Sequence, residues 1–166
     1  MASSGLTGKS NVVIALRHTK DLNLNSILDE LNIDSGIDWS FGTGANAANV
    51  LFHDQRSTDD TGETIDVYEG GSETTAFGDA LTMEAIKLLY IKNTHASLTL
   101  EILGTADTAI GICADPSDII ELPPGGIFLW TCPTAAGIDT TTNKNLKLAS
   151  KTSGTITYDI AMLGLD

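Results

Sequence analysis

The feature that most constrains this chain is strict alternation of apolar and polar residues. In residues 155–162, Ile156, Tyr158, Ile160 and Met162 fall on one side of an extended chain. Thr155, Thr157 and Asp159 fall on the other. Residues 98–102 (Leu-Thr-Leu-Glu-Ile) repeat the pattern. Successive strand side chains point to opposite faces, so this pattern specifies a sheet with one face in a core and one in water.

Short segments of the same kind recur along the chain. Strands are expected at 11–18 (Val12, Ile14 and Leu16 on one face), 37–41, 50–52, 65–68, 86–91, 98–103, 109–113, 119–122, 127–131, 146–148 and 156–163. Segment 86–91 is apolar on both sides apart from Lys87, which suits a central strand covered on both faces. Residues 22–33 are ambiguous. Leu24, Ile27, Leu28 and Leu31 have helical spacing, while Leu22-Asn23-Leu24 alternates, so a short helix or an irregular crossing is expected.

Turn chemistry separates the strands. Asp115-Pro116-Ser117-Asp118 fits a type I turn. Pro123-Pro124-Gly125-Gly126 fits a type II turn, with Pro124 fixing φ and Gly125 supplying a positive φ. Ser153-Gly154 fits a hairpin turn. Many short strands at this spacing give an all-β antiparallel sandwich or barrel with at most one short helix. Long loops are expected at 53–63, 69–81 and 133–144. At 166 residues the chain is read as a flexible N-terminal arm, residues 1–10, and one domain, residues 11–166.

Charge and cysteine content narrow the function. The formal net charge is −13 and there is no basic patch, which argues against nucleic acid as a partner. No apolar run reaches the roughly 18 residues of a membrane helix, and residues 1–10 have no apolar signal core, so no membrane association is expected. Cys113 and Cys132 are expected as buried thiols of a reducing compartment, with a disulfide between them as the alternative.

Several segments have the outline of a chemical motif without its context. Gly8-Lys9-Ser10 lacks the earlier glycine and preceding strand of a phosphate loop. Gly42-Thr43-Gly44-Ala45-Asn46-Ala47 has a GxGxxA shape but no following helix, and a tight turn of small residues is the better account. His18, His53 and His95 are scattered without metal-site spacing. No nucleophile elbow is present, and neither cysteine has a cation nearby in sequence. Asp59-Asp60-Thr61-Gly62-Glu63 lacks the alternate-position ligands of a calcium loop and reads as a solvated turn. The aromatics Trp39, Phe41, Tyr68, Phe77, Tyr90, Phe128, Trp130 and Tyr158 read mostly as core. No catalytic, cofactor-binding or metal-ligating residue is assigned, and no cofactor is expected.

Four stretches, in order, carry a family likeness. They are residues 41–49 (Phe-Gly-Thr-Gly-Ala-Asn-Ala-Ala-Asn) with His53-Asp54-Gln55-Arg56; Ile91-Lys92-Asn93-Thr94; residues 123–130 (Pro-Pro-Gly-Gly-Ile-Phe-Leu-Trp); and Tyr158-Asp159-Ile160. Together they resemble small virion structural proteins of tailed bacteriophages, similar in kind to jelly-roll capsid decoration or cement proteins. The resemblance spans roughly residues 36–164. It implies a jelly-roll-like sandwich that is not an enzyme, made in the bacterial cytoplasm and carried on the exterior of the head. The implied partners are the major capsid protein and further copies of the chain, as a homodimer or homotrimer. A tail or adhesion component recognising a host-surface glycan is the second expectation, and a cell-wall hydrolase with paired carboxylates a third.

Overall fold

The computed structural model describes residues 5–22, 25–69, 73–104, 109–113, 115 and 117–166. Among them there is no helix. The first two strands, β1 (Thr7–Leu22) and β2 (Asn25–Phe41), form a long antiparallel ribbon in unbroken register from Thr7 opposite Ser40 to Leu22 opposite Asn25. A two-residue strand, β3 (Ala47–Ala48), runs parallel to the end of β2.

The remaining strands are β4 (Val50–Thr58), β5 (Glu63–Asp66), β6 (Ala85–Asn93), β7 (Leu100–Leu103), β8 (Ile119–Leu122), β9 (Ile127–Thr131), β10 (Ile138–Asp139), β11 (Asn145–Ser150) and β12 (Ile156–Leu165). They form two antiparallel sheets. One has the order β4-β12-β6-β9, with β10 pairing the start of β6 beside β9. The other has the order β5-β11-β7-β8. The first and last strands of this unit, β4 and β12, are neighbours, and early and late strands interleave in both sheets. This is the order of a jelly-roll sandwich.

The alternation in the sequence builds the core between the sheets. On β12, Ile156, Tyr158, Ile160 and Met162 are all buried, and the residues between them are exposed or half-buried. Leu100 and Ile102 on β7 and Leu146 and Leu148 on β11 face them from the other sheet. Each such side chain contributes roughly 1.5–3 kcal/mol on leaving water. β6 lies between β12 and β9 and is almost wholly buried, as its apolar run requires. At Gly164 the β12–β6 register shifts, and a Cβ there would lie 2.2 Å from Met83 Cγ, so only glycine fits.

The expected type II turn at 123–126 is present. Gly125 has φ 74°, and Gly126 N–H donates to the Pro123 carbonyl at 2.7 Å. Asp118 N–H closes the expected turn onto the Asp115 carbonyl at 2.9 Å, although Pro116 lies outside the described residues.

Three local expectations are corrected. Residues 25–33 are part of β2, so no helix forms there. Strand pairing sets Ile33 opposite Ile14 and Leu31 opposite Leu16, and this cross-strand contact wins over helical spacing. Residues 109–113 are not a strand. Ala109 makes one parallel bridge to Asn145, and Cys113 N–H then turns back onto the Ile110 carbonyl. Residues 53–58, expected as loop, continue β4 along the full length of β12. Of the expected arm 1–10, residues 1–4 lie outside the described ones and residues 7–10 open β1.

Candidate interaction surfaces

The stretches that carry the family likeness converge on one row of the sandwich. Arg56 on β4 is opposite Tyr158 on β12, which is opposite Asn93 on β6. Asn93 is fully buried. Its side-chain amide donates to the carbonyls of Leu98 at 2.8 Å and Leu122 at 2.9 Å, and its Oδ1 accepts from His95 N–H. Its backbone also holds the proline–glycine turn: Asn93 N–H donates to the Gly126 carbonyl and Gly125 N–H donates to the Asn93 carbonyl.

Arg56 bridges the two sheets at the other end of the row. Its guanidinium reaches Glu63 on β5 (Nη2 to Oε2 2.8 Å) and Glu73 (Nη1 to Oε2 2.7 Å). Tyr158 Oη donates to the second Glu63 oxygen. Burial works against the Arg56 charge, but the hydrogen bonds it donates to Glu73 and Glu63 outweigh it and hold the proton more tightly than usual. Burial, reinforced by Glu63, pushes the Tyr158 hydroxyl up. With Asp54 Oδ2 also 3.4 Å from Nη1, the guanidinium is held by three carboxylates and acts as a brace.

A second set of residues fastens the ribbon to the sandwich. Trp39, near the end of β2, is buried at the ribbon's base, and its Nε1 donates across the ribbon to Ser10 Oγ on β1 at 3.0 Å. The glycine-rich segment 42–46 is a tight turn, with Gly42 at φ 140° and Asn46 at φ 53°. It is pinned from outside: Asn46 N–H donates to the Pro133 carbonyl at 2.8 Å, and Lys87 Nζ donates to the Gly44 carbonyl at 2.7 Å. Lys87 is fully buried on β6, and that burial lowers its pKa. In sequence, its one signal was being the only polar residue in an apolar run.

Beyond this anchor the ribbon is open to water. Residues 11–20 and 26–36 are all exposed. The register sorts their side chains, because residues directly opposite one another share a face. One face carries Val12, Ile14, Leu16, Ile27, Leu31 and Ile33, which are between 39% and 60% exposed, with His18, Lys20 and Asp29 toward the ribbon's tip. The other carries Asn11, Arg17, Glu30, Asn32 and Asp34, with an exposed Arg17–Glu30 pair at 3.6 Å, and two exposed aliphatics, Val13 and Leu28. The strand expected at 11–18 is therefore present, but its apolar face is not in the core.

At the ribbon's base, Leu6, Phe41, Leu51 and Phe77 line a groove of 470 Å³ that also receives Asp79 and Asp166. Phe77, expected as core, is 84% exposed. The three histidines stay apart. His95 Nδ1 accepts from the backbone of Ser97 and Leu98. His18 is opposite Asp29 on the ribbon, and His53 is on β4. Cys113 is buried and Cys132 half-buried, and both are free thiols. Asp59 accepts from Thr61 and forms a turn. Among the described residues no cluster of three or more histidine, cysteine or acidic side chains is placed to hold a metal ion. Compared with known proteins, the chain matches no family model, no curated protein and no solved structure.

Proposed function

We propose that this chain is a structural component of a tailed-bacteriophage particle, a decoration protein that binds the outside of the head shell and bridges major capsid protein subunits. The observation that carries the reading is the exposed apolar face of the β1–β2 ribbon beside a sandwich that has already closed its own core. Exposed apolar surface of this extent marks a site of association. The resemblance of the four sequence stretches supplies the particle. The brace Arg56–Glu63–Glu73 and the Asn93 anchor use those stretches to stiffen the sandwich, which is what a clamp between subunits needs. Many copies on a symmetric shell add modest contacts into a large total. The charge of −13 keeps the protein off nonspecific surfaces.

The test is binding of purified protein to expanded shells that lack it. Co-sedimentation at a fixed stoichiometry, with particles more heat-tolerant when decorated, is the expected result. No binding, together with unchanged heat tolerance, overturns the reading.

One observation favours the second reading, a glycan-recognising tail or adhesion component. The groove with Phe41 and Phe77 places aromatic rings near the carboxylate of Asp79. Against it, Trp39 is buried and Trp130 is half-buried against the core, which removes the best sugar-stacking rings. Binding on a glycan array that is abolished by Phe77→Ala decides for it.

A further inference from the structure

The ribbon is unfinished as a fold. An isolated two-stranded hairpin is at best marginally stable in water. Here one runs for sixteen residue pairs with six aliphatic side chains exposed along one face. Among the described residues, β1 pairs only with β2, and β2 is otherwise paired only at Ser40 and Phe41. Both long edges therefore present unpaired backbone groups, which is a template for another strand.

The charges on the two edges are opposite. β1 carries Lys9, Arg17 and Lys20 with Asp21 as its one acid, and so holds three of the nine basic residues of the whole chain. β2 carries Asp29, Glu30, Asp34 and Asp38 and no lysine or arginine. Within the ribbon the register already matches them: Lys9 lies opposite Asp38 and Arg17 opposite Glu30. A second β2, brought to the free edge of β1, meets the same basic strand with the same complementarity. A two-fold contact through like edges does the opposite, setting β1 bases against β1 bases or β2 acids against β2 acids.

We infer that the ribbons of several copies assemble side by side into a closed ring, the β1 edge of each copy on the β2 edge of the next, with the Val12–Ile14–Leu16 face inward. The occupant of the exposed surface is thus further copies of this chain. Neighbouring strands alternate in direction around such a ring, so every new pair is antiparallel. Closure removes both edges and buries the apolar face in one step.

Area argues the same way against stacking two ribbons face to face. A ribbon of this length is about 53 Å long and about 10 Å wide, so one face offers about 500 Å². That is below the roughly 800 Å² per partner of a standard stable interface, and it leaves all edges unpaired. A ring of three or more copies adds edge pairing on both sides of every ribbon. This inference deepens the proposed function: it gives the ribbon face to further copies of the chain and leaves shell contact to the rest of the surface, and it concerns the free protein.

Native mass spectrometry and light scattering of the full chain test it, with no shells present, so failure of the ring and failure of shell binding are separate results. The expected species has at least three times the 17.4 kDa chain mass. Ile14→Ser with Leu31→Ser, both on the inward face, is expected to reduce the mass to that of one chain. Val13→Ser with Leu28→Ser, on the opposite face, is expected to keep it. Circular dichroism and a thermal melt check that the sandwich stays folded in both variants, as the exposure of all four sites predicts. A monomeric or dimeric wild type overturns the proposal. So does an inward-face variant that keeps its mass, or an outward-face variant that dissociates equally while the sandwich remains folded.

Discussion

Two regions of this molecule share one sequence grammar and meet opposite fates. Ile156, Tyr158, Ile160 and Met162 on β12 alternate with polar residues, and so do Val12, Ile14 and Leu16 on β1. The first set is buried; the second is 39–60% exposed. Alternation fixes that a strand has an apolar face. It does not fix what covers that face. For β12 the cover comes from the second sheet of the same chain, and the ribbon has none within the described residues.

Substitutions can sharpen this contrast. The largest effect is expected where the core has no room to adjust. Leu89→Ala on β6, at a fully buried site, is expected to cost about 3 kcal/mol. At this chain length that lowers Tm by about 10 °C, as read by calorimetry or circular dichroism. Next comes the brace. Arg56→Ala leaves Glu63 and Glu73 facing each other without their cation, and a loss of about 2 kcal/mol is expected. Adding Glu73→Gln to that variant should recover part of the loss, and a double-mutant cycle in urea measures the coupling. No such coupling would mean that the brace does not join the sheets.

Tyr158→Phe is expected to cost about 1 kcal/mol, because Glu63 loses a donor. It also carries a pH signature. The folded protein holds the Tyr158 proton above the ordinary tyrosine value, so the unfolded chain releases that proton first as pH rises. The native contribution is complete below about pH 10 and declines above it. Denaturation curves from pH 8 to 11 should show a steeper loss for the native chain than for Tyr158→Phe.

The smallest effect belongs to the ribbon. Leu16→Ser is expected to change the sandwich's own unfolding by under about 0.5 kcal/mol, although it alters the ribbon's apolar face. A large drop in a monomeric sample would show that β1 is part of the core's cooperative unit, and the contrast between the two regions would fail.

Much of the sandwich was legible. β8 and β9 have the bounds that their flanking turns imply, and the turn at 123–126 follows from Pro124 and Gly125 alone. The errors have physical causes. Residues 53–57 are mostly exposed on both sides of β4, so that part of the strand carries no burial signal. Residues 27–31 read as helix because Ile27, Leu28 and Leu31 satisfy helical spacing, and only their partners on β1 decide otherwise. Residues 109–113 are apolar but contain Gly111 and turn at Cys113. Arg56, Glu63 and Glu73 are separated along the chain, and no local pattern announces that they meet.

By itself the sequence determined the class of fold, because alternation, turn residues and chain length admit little besides an antiparallel β structure. It also determined that the surface is acidic. Tertiary structure alone decided which apolar faces close on each other. Burial is a relation between distant segments, whereas periodicity is a property of one. It assigned Lys87 to a buried anchor and Arg56 to a brace between sheets. It also left the face of Val12, Ile14 and Leu16 open for contact with another molecule.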